Sequence, residues 1–444
     1  MPTLAVTLDR DLGTPLGAQL AAAVRERVGD GRLAPGTRLP SSRALARDLG
    51  VARSVVEQAW AQLVAEGWLE GRHGAGTFVA IVRLSPDAGA RPAPAPAPDP
   101  ALLRLSAGHP WVDPAHHAAW RRAWREVGTA APPAGYPDPR GDADLRAALA
   151  ERLRRTRGLA VTGDDVRLTS GTTEGLRHLL AGLPPGPVGV EDPGYRAAVA
   201  VVRATGRTVV DVPALRPPAR AEELAGLVAH YVTPAHQHPL GPVMPAPARA
   251  ALLAAAREAG TLVVEDDYDS EFRYDVAPVP ALASLDPGRV ALLGTVSKSV
   301  SPALRLGWLV APTAVLERVD AYREVTHDTP SWPAQRALLS LLRDGYVDHA
   351  VRSARRVYAR RAARVTQVLG PWLGGPVAGM YASLPLPAAR AEAAHRAARA
   401  AGYDVPLLSD AARSSGATGL VLGFGGCTDA QLEEALAAIR GALA

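Results

Sequence analysis

The stretch Val290-Ala-Leu-Leu-Gly-Thr-Val-Ser-Lys298-Ser-Val-Ser-Pro-Ala-Leu-Arg305-Leu-Gly-Trp308 decides how the chain is read. It runs from an apolar, strand-like segment into a polar turn, and the turn carries the only lysine of the chain. Lys and Arg together number 49, so every other basic residue is an arginine. Asparagine is absent, and Ile81 and Ile439 are the only isoleucines, a bias that resembles the coding of a GC-rich genome. Arginine serves for surface charge and phosphate binding but does not release its proton to become a free amine. Schiff-base chemistry needs that free amine. A lysine retained against this bias, at a strand end, is a candidate nucleophile; chance survival is the plain alternative.

Outward from this stretch, polar signatures repeatedly follow apolar runs, the pattern of an α/β sheet wrapped by helices with its ligands beyond the carboxyl ends of the strands. After Val166-Arg-Leu168 comes Thr169-Ser-Gly-Thr-Thr-Glu-Gly-Leu176, whose hydroxyls and helix-start amides suit a phosphate. Read alone, that segment is equally a capped helix with Glu174 completing a capping box. After Val188-Gly-Val190 comes Glu191-Asp-Pro-Gly-Tyr195, an aromatic at the same edge. After Leu262-Val-Val264 come Glu265, Asp266, Asp267 and Asp269, four acids that repel one another unless something cationic accepts them. A lysine for an imine, an acid for a pyridine nitrogen, and hydroxyls with Arg305 for a phosphate are what pyridoxal phosphate requires.

The chain has 444 residues, enough for two domains or more, with 48% hydrophobic and 21% charged residues. No run of about 18 apolar residues occurs, so no membrane span is expected. The start MPTLAVTLDRDLG does not read as a secretory signal, and Cys427 alone can form neither an internal disulfide nor a thiolate metal site, so a cytoplasmic protein is expected. Net charge is +5 and is not concentrated. Ser85 to Pro100, SPDAGARPAPAPAPDP, reads as a semi-rigid polyproline II spacer. The expected division is therefore residues 1–80, a linker at 81–102, and a large domain at 103–444.

Residues 1–80 read as helices followed by a hairpin. Pro15 to Val28 has helical apolar spacing. Ser41 caps a short helix ended by Gly50, Arg53 to Glu66 forms a longer one, and Trp68-Leu69 with Thr77-Phe78-Val79 makes a two-stranded wing. This is a winged helix-turn-helix. The stretch Leu39-Pro-Ser-Ser-Arg-Ala-Leu-Ala-Arg-Asp-Leu-Gly-Val-Ala-Arg53, with Leu63-Val-Ala-Glu-Gly67 and Gly74-Ala-Gly-Thr-Phe-Val79, resembles the GntR-type DNA-binding domain. The resemblance implies that Arg43, Arg53 and Ser54 contact double-stranded DNA and that the wing glycines Gly74 and Gly76 let the hairpin approach the minor groove.

From 103 onward the chain resembles the fold-type I pyridoxal phosphate enzymes of the aspartate aminotransferase superfamily, and as a whole the MocR subfamily of bacterial regulators. The motifs are Gly135-Tyr-Pro-Asp-Pro-Arg-Gly141, Thr233-Pro-Ala-His-Gln-His-Pro-Leu-Gly241, Glu265-Asp-Asp-Tyr-Asp-Ser-Glu-Phe-Arg-Tyr274 and Leu304-Arg-Leu-Gly307. The resemblance implies an α/β fold with a mainly parallel sheet, and Lys298 as the lysine joined to the cofactor. It further implies Asp266 on the pyridine nitrogen, Tyr268 on the ring 3-hydroxyl and Tyr195 stacked on the ring. Gly171, Thr172, Ser297 and Arg305 would hold the phosphate, and Tyr136 would reach across from the second subunit of a homodimer.

Two departures stand out. Aminotransferases place an asparagine near the ring hydroxyl, where this chain carries His236-Gln237-His238. The two histidines also read as a metal pair, but no third ligand is nearby and no metal is expected. Where amino-acid-binding members carry an arginine, the strand Leu420-Val-Leu-Gly-Phe424 has Val421, which cannot clamp a carboxylate as a guanidinium does. Arg413 is a possible substitute. The expected reading is therefore a DNA-binding transcription regulator whose effector is pyridoxal phosphate, which would suit control of vitamin B6 synthesis, or a small amine reacting with the cofactor. The alternatives are an active aminotransferase with an accessory head and a vestigial scaffold.

Overall fold

The computed structural model describes residues 4, 6–72, 76–80, 99–113, 116–274 and 280–444; Gly74 and most of the Pro/Ala-rich segment lie outside the described residues. The chain divides into two compact units, residues 1–98 and 99–444.

The first unit contains α1 (Leu16–Gly29), α2 (Ser42–Leu49), α3 (Arg53–Ala65), β1 (Leu69–Arg72) and β2 (Gly76–Val79). Local chemistry sets these limits. The Ser41 hydroxyl accepts the Ala44 amide at 3.2 Å to start α2, and Gly50, at φ 63°, ends it in a left-handed turn. The apolar stripes of the three helices meet in one core, in which Leu20, Val24, Leu45, Val56, Ala59 and Leu63 are buried with Val79 of the wing. The antiparallel hairpin pairs Leu69 with Val79 and Arg72 with Gly76. These elements are the expected winged helix-turn-helix.

The second unit begins with β3 (Leu103–Arg104), α4 (His116–Thr129), α5 (Ala143–Arg157), β4 (Val166–Thr169), α6 (Thr172–Ala181), β5 (Val188–Asp192), α7 (Arg196–Ala204), β6 (Val209–Pro213), β7 (Ala229–Val232) and α8 (Ala246–Ala259). It continues with β8 (Leu262–Asp267), α9 (Leu282–Leu285), β9 (Val290–Thr295), β10 (Gly307–Val310), α10 (Thr313–Thr326), α11 (Trp332–Arg343) and α12 (Tyr346–Leu369). It closes with β11 (Tyr381–Pro385), α13 (Ala388–Ala400), β12 (Tyr403–Asp404), β13 (Gly419–Gly423) and α14 (Asp429–Leu443).

Seven strands form one sheet in the order β4-β10-β9-β8-β7-β5-β6, and β10 alone runs antiparallel to its neighbours. Both faces are covered, so the strands read as continuous apolar runs rather than alternating ones. The two-residue period still sorts the side chains. Val263, Val290 and Leu292 join one core, whereas Leu262, Val264, Ala291 and Leu293 join the other. A third cluster packs α12, α13 and α14 against the antiparallel pair β11–β13, with Tyr358, Leu384, Leu420 and Ile439 buried. Among the described residues, no helix is long and apolar enough to cross a membrane.

Two glycines let β10 lie close to the turn after β4. A Cβ at Gly307 would fall 2.4 Å from the Gly294 carbonyl oxygen and 2.8 Å from the Gly171 Cα; one at Gly294 would fall 2.2 Å from the Trp308 ring. Overfilling such a contact costs ~1–3 kcal/mol. Gly307→Ala is expected to lower the unfolding free energy of the full chain, read from urea titration, by that amount, and an unchanged stability would contradict this packing.

Candidate functional site

The carboxyl ends of β8 and β9 and the turn after β4 converge on a cavity of about 350 Å³. Gly171, Thr172, Tyr195, Asp266, Tyr268, Ser297, Lys298 and Arg305, eight of the nine residues assigned to the cofactor from sequence, all line it. The ninth, Tyr136, does not: it is 79% exposed, stacks on His327 at 4.0 Å, and faces a separate recess.

At one end is a cup built by backbone. Gly171, the residue before α6, holds φ 116°, and an added Cβ there would lie 3.7 Å from the Arg305 guanidinium. No side chain caps α6 at its N-cap; Glu174 instead accepts the Ser170 amide, so the capping-box alternative is not the arrangement found. Arg305 itself lies in the left-handed region at φ 51°, a strained choice for a non-glycine residue that aims its side chain at the cup. Thr295 Oγ1 accepts the Ser297 amide at 3.1 Å and lies 2.8 Å from Ser297 Oγ, fixing the turn that carries Lys298. Backbone amides, hydroxyls and a guanidinium at a helix start are phosphate chemistry.

In the middle lies the acidic run. Its four carboxylates part company: Asp267 pairs with Arg157 at 2.6 Å, Asp269 with His236 at 2.6 Å, and Glu265 accepts the Ala283 amide at 3.1 Å. Asp266 turns to the cavity. The Tyr231 hydroxyl donates to its Oδ2, and its buried Oδ1 has no partner. Burial, opposed by the Tyr231 hydrogen bond, pushes Asp266 up to about 7. A buried carboxylate with an idle oxygen at a cavity wall is a receptor for a cationic N–H. Burial likewise pushes Glu191 up to about 7, and Glu191 anchors the 233–241 loop through the Thr233 amide (3.0 Å) and hydroxyl (2.6 Å).

Lys298 Nζ donates to the Gly108 carbonyl at 2.8 Å. Burial lowers its pKa, partly offset by the charges of Asp269 and Asp266, which favours the free amine. With the phosphate cup at one end, an orphaned carboxylate in the middle and an amine between them, the residues fit a phosphorylated pyridine aldehyde.

Val421 lines the cavity, as the clamp argument expected. Arg413 does not: its guanidinium bonds Asp211 Oδ1 at 2.5 Å and the Glu191 carbonyl at 2.9 Å, and its amide donates to Asp192. Sequence reasoning missed Arg104, Arg196, Leu407 and Asp410, which also line the cavity. Arg196 directly follows Tyr195, whereas Arg104, Leu407 and Asp410 come from β3 and the 405–411 stretch, distant segments with no local motif. His236 is engaged with Asp269, and no third ligand atom joins it and His238 among the described residues. Glu174, His178 and Asp328 do bring ligand atoms within 4.8 Å of one another, but Arg177 ion-pairs with both carboxylates.

On the first unit Arg43, Arg53 and Ser54 are exposed, and Arg53 and Ser54 open α3. Arg53 pairs with Glu57 at 2.7 Å, an exposed i,i+4 contact of a few tenths of a kcal/mol that a DNA phosphate would readily displace. Gly76 begins β2 at φ 110°, against the Arg38 side chain.

Fold and cavity define a helix-turn-helix regulator joined to an aminotransferase-type unit, and comparison with known proteins agrees. Residues 100–439 match the family described as aminotransferase class I and II, and residues 16–79 match the gntR family of bacterial regulatory proteins. The chain is 35% identical, over 99% of its length and 98% of the relative's, to the HTH-type pyridoxine biosynthesis transcriptional regulator PdxR of Corynebacterium glutamicum. It is 32% identical, over 98% and 95%, to the probable rhizopine catabolism regulatory protein MocR of Rhizobium meliloti. The α-aminoadipate aminotransferase LysN of Thermus thermophilus superposes with a TM-score of 0.67 at 26% identity, covering 78% of this chain and 92% of that one. The chain belongs to the aminotransferase class I and II family and carries a gntR-family head, the pairing of the MocR-type transcription regulators.

Asp266 fixes a pH dependence. In the folded, cofactor-free chain it keeps its proton to about pH 7, against a usual 3.8. Folding then takes up a proton between those values, so stability falls as pH rises through that window. Relative to Asp266→Asn, the wild type is expected to lose about 2–4 kcal/mol between pH 4 and pH 7 and no more above it. Urea unfolding of both proteins across that range checks this, and parallel stability curves would contradict it.

Proposed function

We propose that the chain is a cytoplasmic, homodimeric transcription regulator that holds pyridoxal phosphate at Lys298 and binds its DNA operator with an affinity set by that site. The observation that carries this reading is the idle, buried Asp266 oxygen in the same cavity as the only lysine. When bound, the cofactor supplies an electrophilic aldehyde carbon that a primary amine can attack.

Lys298 offers that amine, and burial lowers its pKa, which favours the free form. Asp266 keeps the pyridine nitrogen protonated and so recovers the charge partner it otherwise lacks. Gly171 and Thr172 through their backbone, with Ser297 and Arg305, grip the phosphate; Tyr195 covers one face of the ring, and Tyr268 stands at its hydroxyl edge. Tyr136, exposed on its own subunit, would complete the cavity of a second copy. In the head, Arg43, Arg53 and Ser54 would meet bases and phosphates, with Gly74 and Gly76 bringing the wing to the minor groove. Residues 81–102 would join head (1–80) to sensor (103–444).

The effector is pyridoxal phosphate itself or a small amine reacting with it. Val421 in the cavity wall and the commitment of Arg413 to Asp211 favour pyridoxal phosphate. A relative named for pyridoxine biosynthesis supports control of vitamin B6 supply, and regulators among the relatives support regulation over transamination. Borohydride reduction after loading is expected to fix one pyridoxal phosphate per wild-type chain and none on Lys298→Ala. Equal labelling of the two, or none of either, would overturn this reading.

A further inference from the structure

We propose that Glu57 is a specificity-determining residue of the head, its carboxylate accepting the amino group of a cytosine in the major groove of the operator; the inference rests on the DNA-binding reading of the head. The face that α3 leaves open carries the first part of the argument. Val56, Ala59, Trp60 and Leu63 point into the core of the first unit. With the helical period, the opposite face then belongs to Ser54, Gln58 and Ala61, with Arg53 and Glu57 along its edge, and all of these are exposed. Ala61 offers no polar side-chain atom. Gln58 leans toward α1, where a Cβ added at Gly17 would lie 3.7 Å from its Oε1. Glu57 therefore stands beside Arg53 and Ser54, one turn further into the helix, and it is the only acid in α3.

An acid at that place needs a reason. A carboxylate on a surface that meets a polyanion weakens binding to every sequence unless it finds a donor. In the major groove guanine shows N7 and O6, and thymine O4, all of them acceptors. Only cytosine N4 and adenine N6 donate there. Adenine N6 stands beside N7, an acceptor that repels a carboxylate, whereas cytosine shows no acceptor of its own on that edge. A carboxylate thus prefers cytosine.

The hydrogen bonds of Glu57 leave it ready for that contact. Arg53 Nε donates to Glu57 Oε1 at 2.7 Å, and Arg53 Nη2 lies 2.7 Å from the same oxygen. The Ser42 hydroxyl, from α2, donates to Oε1 as well, at 3.4 Å. Among the described residues Oε2 accepts from no group. The carboxylate is held by one oxygen in the crook between α2 and α3 and presents the other. The Glu57 side chain is 49% exposed, so a base edge can reach it. The guanidinium beside it offsets the repulsion between carboxylate and phosphates. A phosphate that draws Arg53 away frees Oε1 too, so Glu57 keeps an acceptor in either arrangement.

The consequence is a change in which base is read rather than in how tightly DNA is held. The test is selection from a randomised double-stranded DNA library by the full chain at fixed salt. Binding titrations follow on the selected sequence, on its single-base variants and on unrelated DNA. The wild type, Glu57→Ala and Glu57→Gln are compared. The position is exposed, so both variants are expected to unfold in urea as the wild type does.

The wild type is expected to select a cytosine at one position beneath α3, and to lose about tenfold in affinity when that base is changed. Glu57→Ala is expected to bind all four bases there alike and, having lost a negative charge, to hold unrelated DNA more tightly. Glu57→Gln, whose amide can pair with adenine N6 and N7, is expected to move the preference at that position toward adenine. An Ala variant that keeps the wild-type preference at every position would overturn the role of Glu57 alone. So would one that loses affinity equally on all sequences, the mark of a contact that only joins α2 to α3. A wild type that selects no sequence would overturn this inference and the DNA-binding reading with it.

Discussion

The large unit is organised around a carboxylate that the sheet carries into an apolar interior and then leaves half unsatisfied. Asp266 sits at the end of a strand whose preceding residues, Leu262 to Val264, are buried on both faces, so no water reaches it from behind. Its three acidic neighbours point to other partners, Arg157, His236 and backbone amides, which removes the nearest sources of compensation. What remains is one cavity wall with one idle oxygen. The other walls follow from the same sheet: parallel strands deliver turns to a single edge, and the close approach at Gly294 and Gly307 brings the cup beside Lys298.

Much of this was legible in the sequence because its chemistry is local. The cup and the lysine each occupy one turn after one apolar run, and the acidic run ends its own strand. The wing and the two helices of the head are likewise set by Ser41, Gly50 and short-range apolar spacing. What the sequence hid depends on contacts between distant segments. Arg413 looked available as a clamp, but Asp211, more than two hundred residues away, holds it. The assignment of each acid in the 265–269 run needed Arg157 and His236, neither of which has a spacing relation to it. The histidine loop read as a weak metal pair, because only the fold reveals that His236 is spoken for and His238 faces the cavity.

Val421 stands in the cavity wall where amino-acid-binding members carry an arginine, while Arg104 and Arg196 line the cavity elsewhere; the function proposed above is sensing rather than turnover. The coupling needed is modest: roughly 1–3 kcal/mol between the two sites corresponds to a 5- to 150-fold change in DNA affinity.

The most direct test is the affinity of the full chain for the DNA upstream of its own gene, at fixed salt, while pyridoxal phosphate is titrated in and Lys298→Ala is run alongside. The account predicts a shift within that 5- to 150-fold range for the wild type and none for the variant. Equal operator affinity of cofactor-free and cofactor-loaded wild type would contradict it.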